Sequence, residues 1–198
     1  WQDHMGVAKG QEWDRLATIA DPTVFQEWLN QVPFFAQGPR RFRDGALPVP
    51  PIQPPADREI STQQAFGKIL DDLARGSSAL ADRIVTTSPD VTVSTNLGAW
   101  VNQRGLFRRQ ELADVFQKAR IPSAQKWTAT TAGQHIELGI AENNFFLLLA
   151  SLGLAAPHFG TRLLPVGTVY DPFIARGLDA LNYGCYQDAR FLLVGTPS

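Results

Sequence analysis

A single cysteine, Cys185, stands in this 198-residue chain, so no intramolecular disulfide can form. That fits a reducing, cytoplasmic setting, and in the stretch Tyr183-Gly184-Cys185-Tyr186 the cysteine reads as a small buried hydrophobe rather than a nucleophile. Charge of either sign is not in excess. A net charge of −1 leaves no long-range field to attract nucleic acid or an anionic membrane. No apolar run approaches the roughly 20 residues needed to cross a bilayer. No signal-peptide pattern is present, and a first residue of Trp1 reads as the start of a piece of something longer. The histidines His4, His135 and His158 lack ligand spacing, which with one cysteine speaks against a structural zinc site. There is no Gly-x-x-x-x-Gly-Lys-Ser/Thr loop, no Gly-x-Gly-x-x-Gly after a strand, and no Gly-x-Ser-x-Gly elbow.

What is present is an ordinary globular composition, 44% hydrophobic and 19% charged, able to bury a core. Seven of the 14 prolines fall between Pro33 and Pro55. Proline lacks a backbone donor and biases its predecessor to extended forms, so this stretch is expected to be an interdomain arm. Phe34, Phe35 and Phe42 would dock it on a body, while Arg40, Arg41 and Arg43 read as a solvated or subunit-contacting cluster rather than an anion site. Residues 1–57 are thus a short helix, with Asp21 as cap and Pro22 in its first turn, followed by the arm.

Residues 58–198 form the main domain. Ser61 and Gln64 make a capping box for a helix to Arg75, with Ala65, Phe66, Ile69, Leu70 and Leu73 as its apolar stripe and Gly76 as the stop. A strand ending at Pro89 follows, then an amphipathic helix from Arg108 to Ala119 and an exposed loop from Thr128 to Gln134. After these come a helix from about Ala141 to Leu152, a strand "RLLPVG", a helix from about Asp171 to Tyr183, and a strand "RFLLVG". Strands alternating with helices predict a three-layer α/β domain with a largely parallel sheet.

Ligands of such sheets sit beyond the carboxyl ends of the strands. The segments "SPDVTVSTNLG", "GIAEN" and "GTVYDPF" answer that description and nominate Asp90, Glu142, Tyr170 and Phe173. Each has a plain structural alternative. Glu142 in the first turn of a helix gains about 0.3–1 kcal/mol from the macrodipole alone. Phe173 can be a core residue, and Asp90 can cap a turn. His135 reads as a surface residue or one supporting the site from behind.

Five blocks, in order, carry a resemblance. "REISTQQAF", "RGLFRR", "GQHIELGIAENN" and "YQDARFLLVGTPS" resemble stretches of the pyrimidine-binding domain of thiamine diphosphate enzymes in the transketolase superfamily. They look most like those of the homodimeric decarboxylating component of bacterial pyruvate dehydrogenase, while "SPDVTVSTNLG" is more similar to transketolase itself. The resemblance runs from Arg58 to Ser198 and implies the pyrimidine-binding fold. It implies that Glu142, in Gly139-Ile140-Ala141-Glu142, hydrogen-bonds a ring nitrogen of the cofactor's aminopyrimidine. Sharing a proton there favours the imino tautomer, which can deprotonate the thiazolium carbon. It also implies that Phe173 stacks on the pyrimidine, that Ile140 and Tyr170 line the same pocket, and that Asp90 lies near the thiazolium or substrate.

The superfamily's Gly-Asp-Gly…Asn motif for magnesium and diphosphate is absent from the sequence, as are the histidines expected after the Gly-Thr-Pro-Ser ending. The resemblance therefore implies half of a site, truncated on the C-terminal side and completed by the diphosphate domain of a second subunit, in a homodimer that holds thiamine diphosphate and magnesium. The implied activity is that of a 2-oxo acid dehydrogenase with a lipoyl-bearing acyltransferase as partner. A transketolase moving two-carbon ketol units and a non-catalytic or regulatory homologue are the rivals. No metal ligand is assigned to this chain, and it alone should be inactive.

Overall fold

A computed structural model describes residues 22–32, 45–57, 59–109 and 127–197. The Phe34, Phe35 and Phe42 contacts, the arginine cluster at Arg40, His4, the Asp21 cap and most of the helix expected over 108–119 lie outside these residues.

Helix α1 spans Pro22–Gln31, as the early proline predicts. Residues 45–57 have neither helix nor strand, and Leu47 packs on the core they run beside. Helix α2, Thr62–Arg75, begins with the full capping box: the Gln64 amide donates to Ser61 Oγ, and the Ser61 amide donates to Gln64 Oε1. Gly76 ends it in an extended conformation, its amide on the Leu73 carbonyl.

Strand β1, Ile84–Ser88, is followed by helix α3 (Gly98–Arg104) and three short strands: β2 (Leu106–Phe107), β3 (Ala129–Thr130) and β4 (His135–Glu137). Helices α4 (Glu142–Gly153) and α5 (Ala155–Phe159) lead to β5, Leu164–Tyr170. A 3₁₀ segment, Asp171–Gly177, then precedes α6, Leu178–Tyr186, and β6, Leu192–Thr196. The six strands form one sheet in the order β3-β2-β4-β1-β5-β6, every pairing parallel.

Helices cover both faces of the sheet. On one, Leu70 and Ala74 of α2 meet Trp100 and Val101 of α3 over Ile84 and Val166. On the other, Phe145, Phe146 and Leu149 of α4 meet Val169 of β5 and Ala180 of α6. Burying both faces is what a parallel sheet demands, and it accounts for Phe145, Phe146 and Leu149 in the apolar run of α4, while Leu147 of that run is exposed. Gly167 is the condition for that fit, because a Cβ there would strike Phe145 and Leu149. The layered α/β expectation and its parallel sheet agree with this arrangement.

Three expectations need correction. Thr128–Gln134 is not simply an exposed loop. Leu106 and Arg108 donate to the carbonyls of Thr128 and Thr130, so Ala129–Thr130 becomes the edge strand. The helix expected from Asp171 to Tyr183 is instead a 3₁₀ segment passing into α6, two pieces with different hydrogen bonding. Cys185 is exposed rather than buried, because Gly184 is the residue of that turn that faces Ala150 of α4.

Candidate functional site

A wholly parallel sheet presents all its carboxyl ends along one edge. That edge carries the loop after β1 with Asp90, the turn after β4 with Ile140 and Glu142, and the end of β5 with Tyr170. The topology thus brings together the segments nominated from the sequence.

Glu142 is the first residue of α4, and no side chain caps this helix start. Its side chain is only 8% exposed, and its Oε1 accepts a 2.9 Å hydrogen bond from Arg176 Nη1. Arg176 belongs to the 3₁₀ segment. Its guanidinium carbon lies 4.0 Å from the centroid of the Phe173 ring, within the range of a cation–π contact. Phe173 in turn meets Tyr170 edge to face, with ring centroids 6.1 Å apart. One connected cluster therefore runs Glu142–Arg176–Phe173–Tyr170. Gly177 makes the close approach possible, because a Cβ there would run into the Phe146 ring and the Glu142 carbonyl. Ile140, two residues before Glu142, is 76% exposed.

A second cluster lies beneath the β1 end. In a strand, alternate residues share a face, and the parallel register sets Thr86 beside His135 and Ser88 beside Glu137. His135 is fully buried, which removes the surface reading. Its Nδ1 is 2.8 Å from Thr86 Oγ1 and its Nε2 is 2.9 Å from Thr92 Oγ1. Glu137 accepts from Ser88 Oγ at 3.0 Å, from the Asp90 amide at 2.9 Å and from the Thr92 hydroxyl. With the Thr92 proton on Glu137, His135 Nε2 is the donor, shared between Thr92 Oγ1 and, at 3.5 Å, Glu137 Oε2. Burial alone pushes the Glu137 carboxyl up. Hydrogen bonds from His135, Thr92 and the Asp90 amide outweigh it and hold the group below its ordinary value.

Asp90 is exposed and adopts a left-handed backbone, φ 64°. That conformation is tolerated by aspartate, and here the amide bond to Glu137 pins it. The residues that sequence reasoning missed are Arg176, Glu137, Thr92 and Ser88. Two spacings signalled them: Phe173-x-x-Arg176 along one turn, and the His135/Glu137 alternation on one strand face.

An aminopyrimidine asks for a shielded carboxylate beside a flat apolar wall. Glu142 and the Phe173–Tyr170 pair fit that request, with Arg176 already on the carboxylate. At the same edge, Thr196 Oγ1 at the end of β6, paired in register with Tyr170, is buried without a hydrogen-bond partner. Among the described residues no group of three His, Cys, Asp or Glu could hold a metal ion. Two grooves, of about 460 and 490 Å³, lie along α2, and neither includes Glu142. Among the described residues no helix is long and apolar enough to cross a membrane.

Compared with known proteins, the chain matches no family model and no curated sequence.

Proposed function

We propose that this domain holds the aminopyrimidine half of thiamine diphosphate in an enzyme of the 2-oxo acid dehydrogenase type. The observation that carries the reading is the position of Glu142. It is a carboxylate shielded from water at the first turn of an apolar helix, on the carboxyl edge of a parallel sheet, with aromatic rings beside it. A buried carboxylate is costly to maintain unless it has a partner, and Arg176 is the partner here.

Bound there, the cofactor supplies an electron sink for cleaving the bond next to a carbonyl. The chain's own residues do the rest. Glu142 would hold a ring nitrogen of that group, and at 8% exposure the hydrogen bond would be stronger than in open solvent. Phe173 and Tyr170 orient the ring by stacking and edge contact. Phe145 and Phe146 close the floor behind them. Asp90, fixed by Glu137, presents a second carboxylate along the same edge. Magnesium and the diphosphate belong to another domain in this reading, supplied by a second copy in a homodimer. The exposed apolar residues Ile140 and Leu178, next in the chain to Ala141-Glu142 and Gly177, suit such a cover. A cytoplasmic location and a lipoyl-bearing partner go with the same reading.

Two other readings have a specific observation each. The "SPDVTVSTNLG" stretch favours a transketolase, which would act on sugar phosphates rather than 2-oxo acids. The Glu142–Arg176 pair favours a non-catalytic homologue, in which the carboxylate is spent on structure and the intact protein binds no cofactor. The test is Glu142→Gln in the intact protein, assayed against several 2-oxo acids and sugar phosphates. Turnover should vanish while the circular dichroism and melting temperature stay at wild-type values. Near-normal turnover would remove Glu142 from the mechanism.

A further inference from the structure

Arg176 makes the two contacts that the proposed heterocycle needs. Its guanidinium is flat and rich in N–H donors. It donates to Glu142 Oε1 at 2.9 Å and lies over the Phe173 ring at 4.0 Å. An aminopyrimidine is likewise flat and stacks on an aromatic face, and once its ring nitrogen carries the shared proton it donates N–H to a carboxylate. The exposures give the pair a direction: the Glu142 side chain is 8% exposed and the Arg176 side chain 54%, so the guanidinium lies on the solvent side of the carboxylate.

We infer that Arg176 is a placeholder, occupying the heterocycle's position between Glu142 and Phe173 and leaving it when the cofactor binds. The inference rests on the cofactor reading above. It assigns Arg176 a role that nothing in the resemblance supplies, as the residue that sets how tightly the ring is held. The physical basis is competition. A site whose open form is populated only in part binds with an affinity reduced by that fraction. A half-exposed ion pair and a cation–π contact are each weak, so the latch gives way to a ligand that stacks and hydrogen-bonds at once. Meanwhile it keeps a shielded carboxylate paired, which avoids leaving a buried charge alone. The Arg176 side chain is 54% exposed, so solvent lies open to it on leaving the carboxylate.

The experiment is calorimetric titration of thiamine diphosphate, with magnesium present, into the intact protein, its Arg176→Ala and Arg176→Gln variants and a Glu142→Ala control. Melting temperatures are measured on all four without ligand. Both Arg176 variants should bind about tenfold more tightly than wild type, the scale of losing two weak competing contacts. Their melting temperatures should be unchanged or lower. These opposite signs separate a placeholder from a residue that merely shapes the site, whose loss would lower affinity along with stability. If wild type binds and both Arg176 variants bind equally or more weakly, the placeholder is overturned while the cofactor reading survives. If none of the proteins binds, or Glu142→Ala binds like wild type, the cofactor reading falls and the placeholder with it. Binding by the Arg176 variants alone would sustain both.

Discussion

The Asp90 amide donates 2.9 Å to the Glu137 carboxylate across the carboxyl edge of the sheet, joining the loop after β1 to the last residue of β4. This bond holds Asp90 in its left-handed backbone, and the full set of donors around Glu137 is satisfied only by the ionised carboxylate. The Glu137 pKa is lower in the folded chain than its reference value of 4.5. The unfolded state therefore binds more protons as pH falls toward and below that value, and the stabilising contribution is present above about pH 4.5 and lost as pH drops through the folded value. Urea unfolding of wild type and Glu137→Gln across pH 3 to 6 should show the difference between them shrinking toward acid. A difference independent of pH would remove the charge from the explanation.

Phe145 is wholly buried between α4 and the sheet, and it touches the position where Gly167 has no side chain. Phe145→Ala should cost about 3–5 kcal/mol, the usual range for emptying an aromatic site that cannot collapse. Equilibrium denaturation measures it.

Gly177 is held against the Phe146 ring and the Glu142 carbonyl. Gly177→Ala should destabilise by about 1–3 kcal/mol through overpacking and should separate Arg176 from Glu142. Denaturation reads the first effect, and a crystal structure of the variant reads the second. A variant as stable as wild type, with the ion pair unmoved, would contradict this.

Phe173 divides the two roles assigned to it from sequence. As a stacking residue, its loss should weaken cofactor binding by about 0.5–1.5 kcal/mol beyond the lost apolar contact, with stability little changed. As a core residue, the balance should be reversed. Titration and melting of Phe173→Ala together decide, since Phe173 is half-buried at the edge of the second core cluster.

The regular elements were legible because their signals are local. The Ser61–Gln64 box, the stripe of α2, the β-branched run of β1 and the apolar block of α4 each lie within one stretch of chain. Strands β2, β3 and β4 were not legible, being two or three residues long and too short to show alternation. His135 reads from sequence as either a surface residue or one behind the site, because a polar side chain in a short segment gives no hint of the hydroxyls that will surround it. Its partners Thr86 and Thr92 arrive from 49 and 43 residues away. Cys185 was misread for the converse reason: apolar neighbours in sequence do not say which side of a helix faces the core. In the candidate site, Glu142 stood out as a charge before an apolar run. Its pairing with Arg176 spans 34 residues and depends on a 3₁₀ turn that the sequence pattern renders as plain helix.

A crystal structure of the intact protein with thiamine diphosphate and magnesium would locate the heterocycle relative to Glu142. The account predicts a Glu142 carboxylate oxygen about 2.7–3.0 Å from a ring nitrogen of the pyrimidine, with Arg176 turned out toward solvent. It is contradicted by a structure in which the heterocycle lies elsewhere and Glu142 keeps its pairing with Arg176 unchanged.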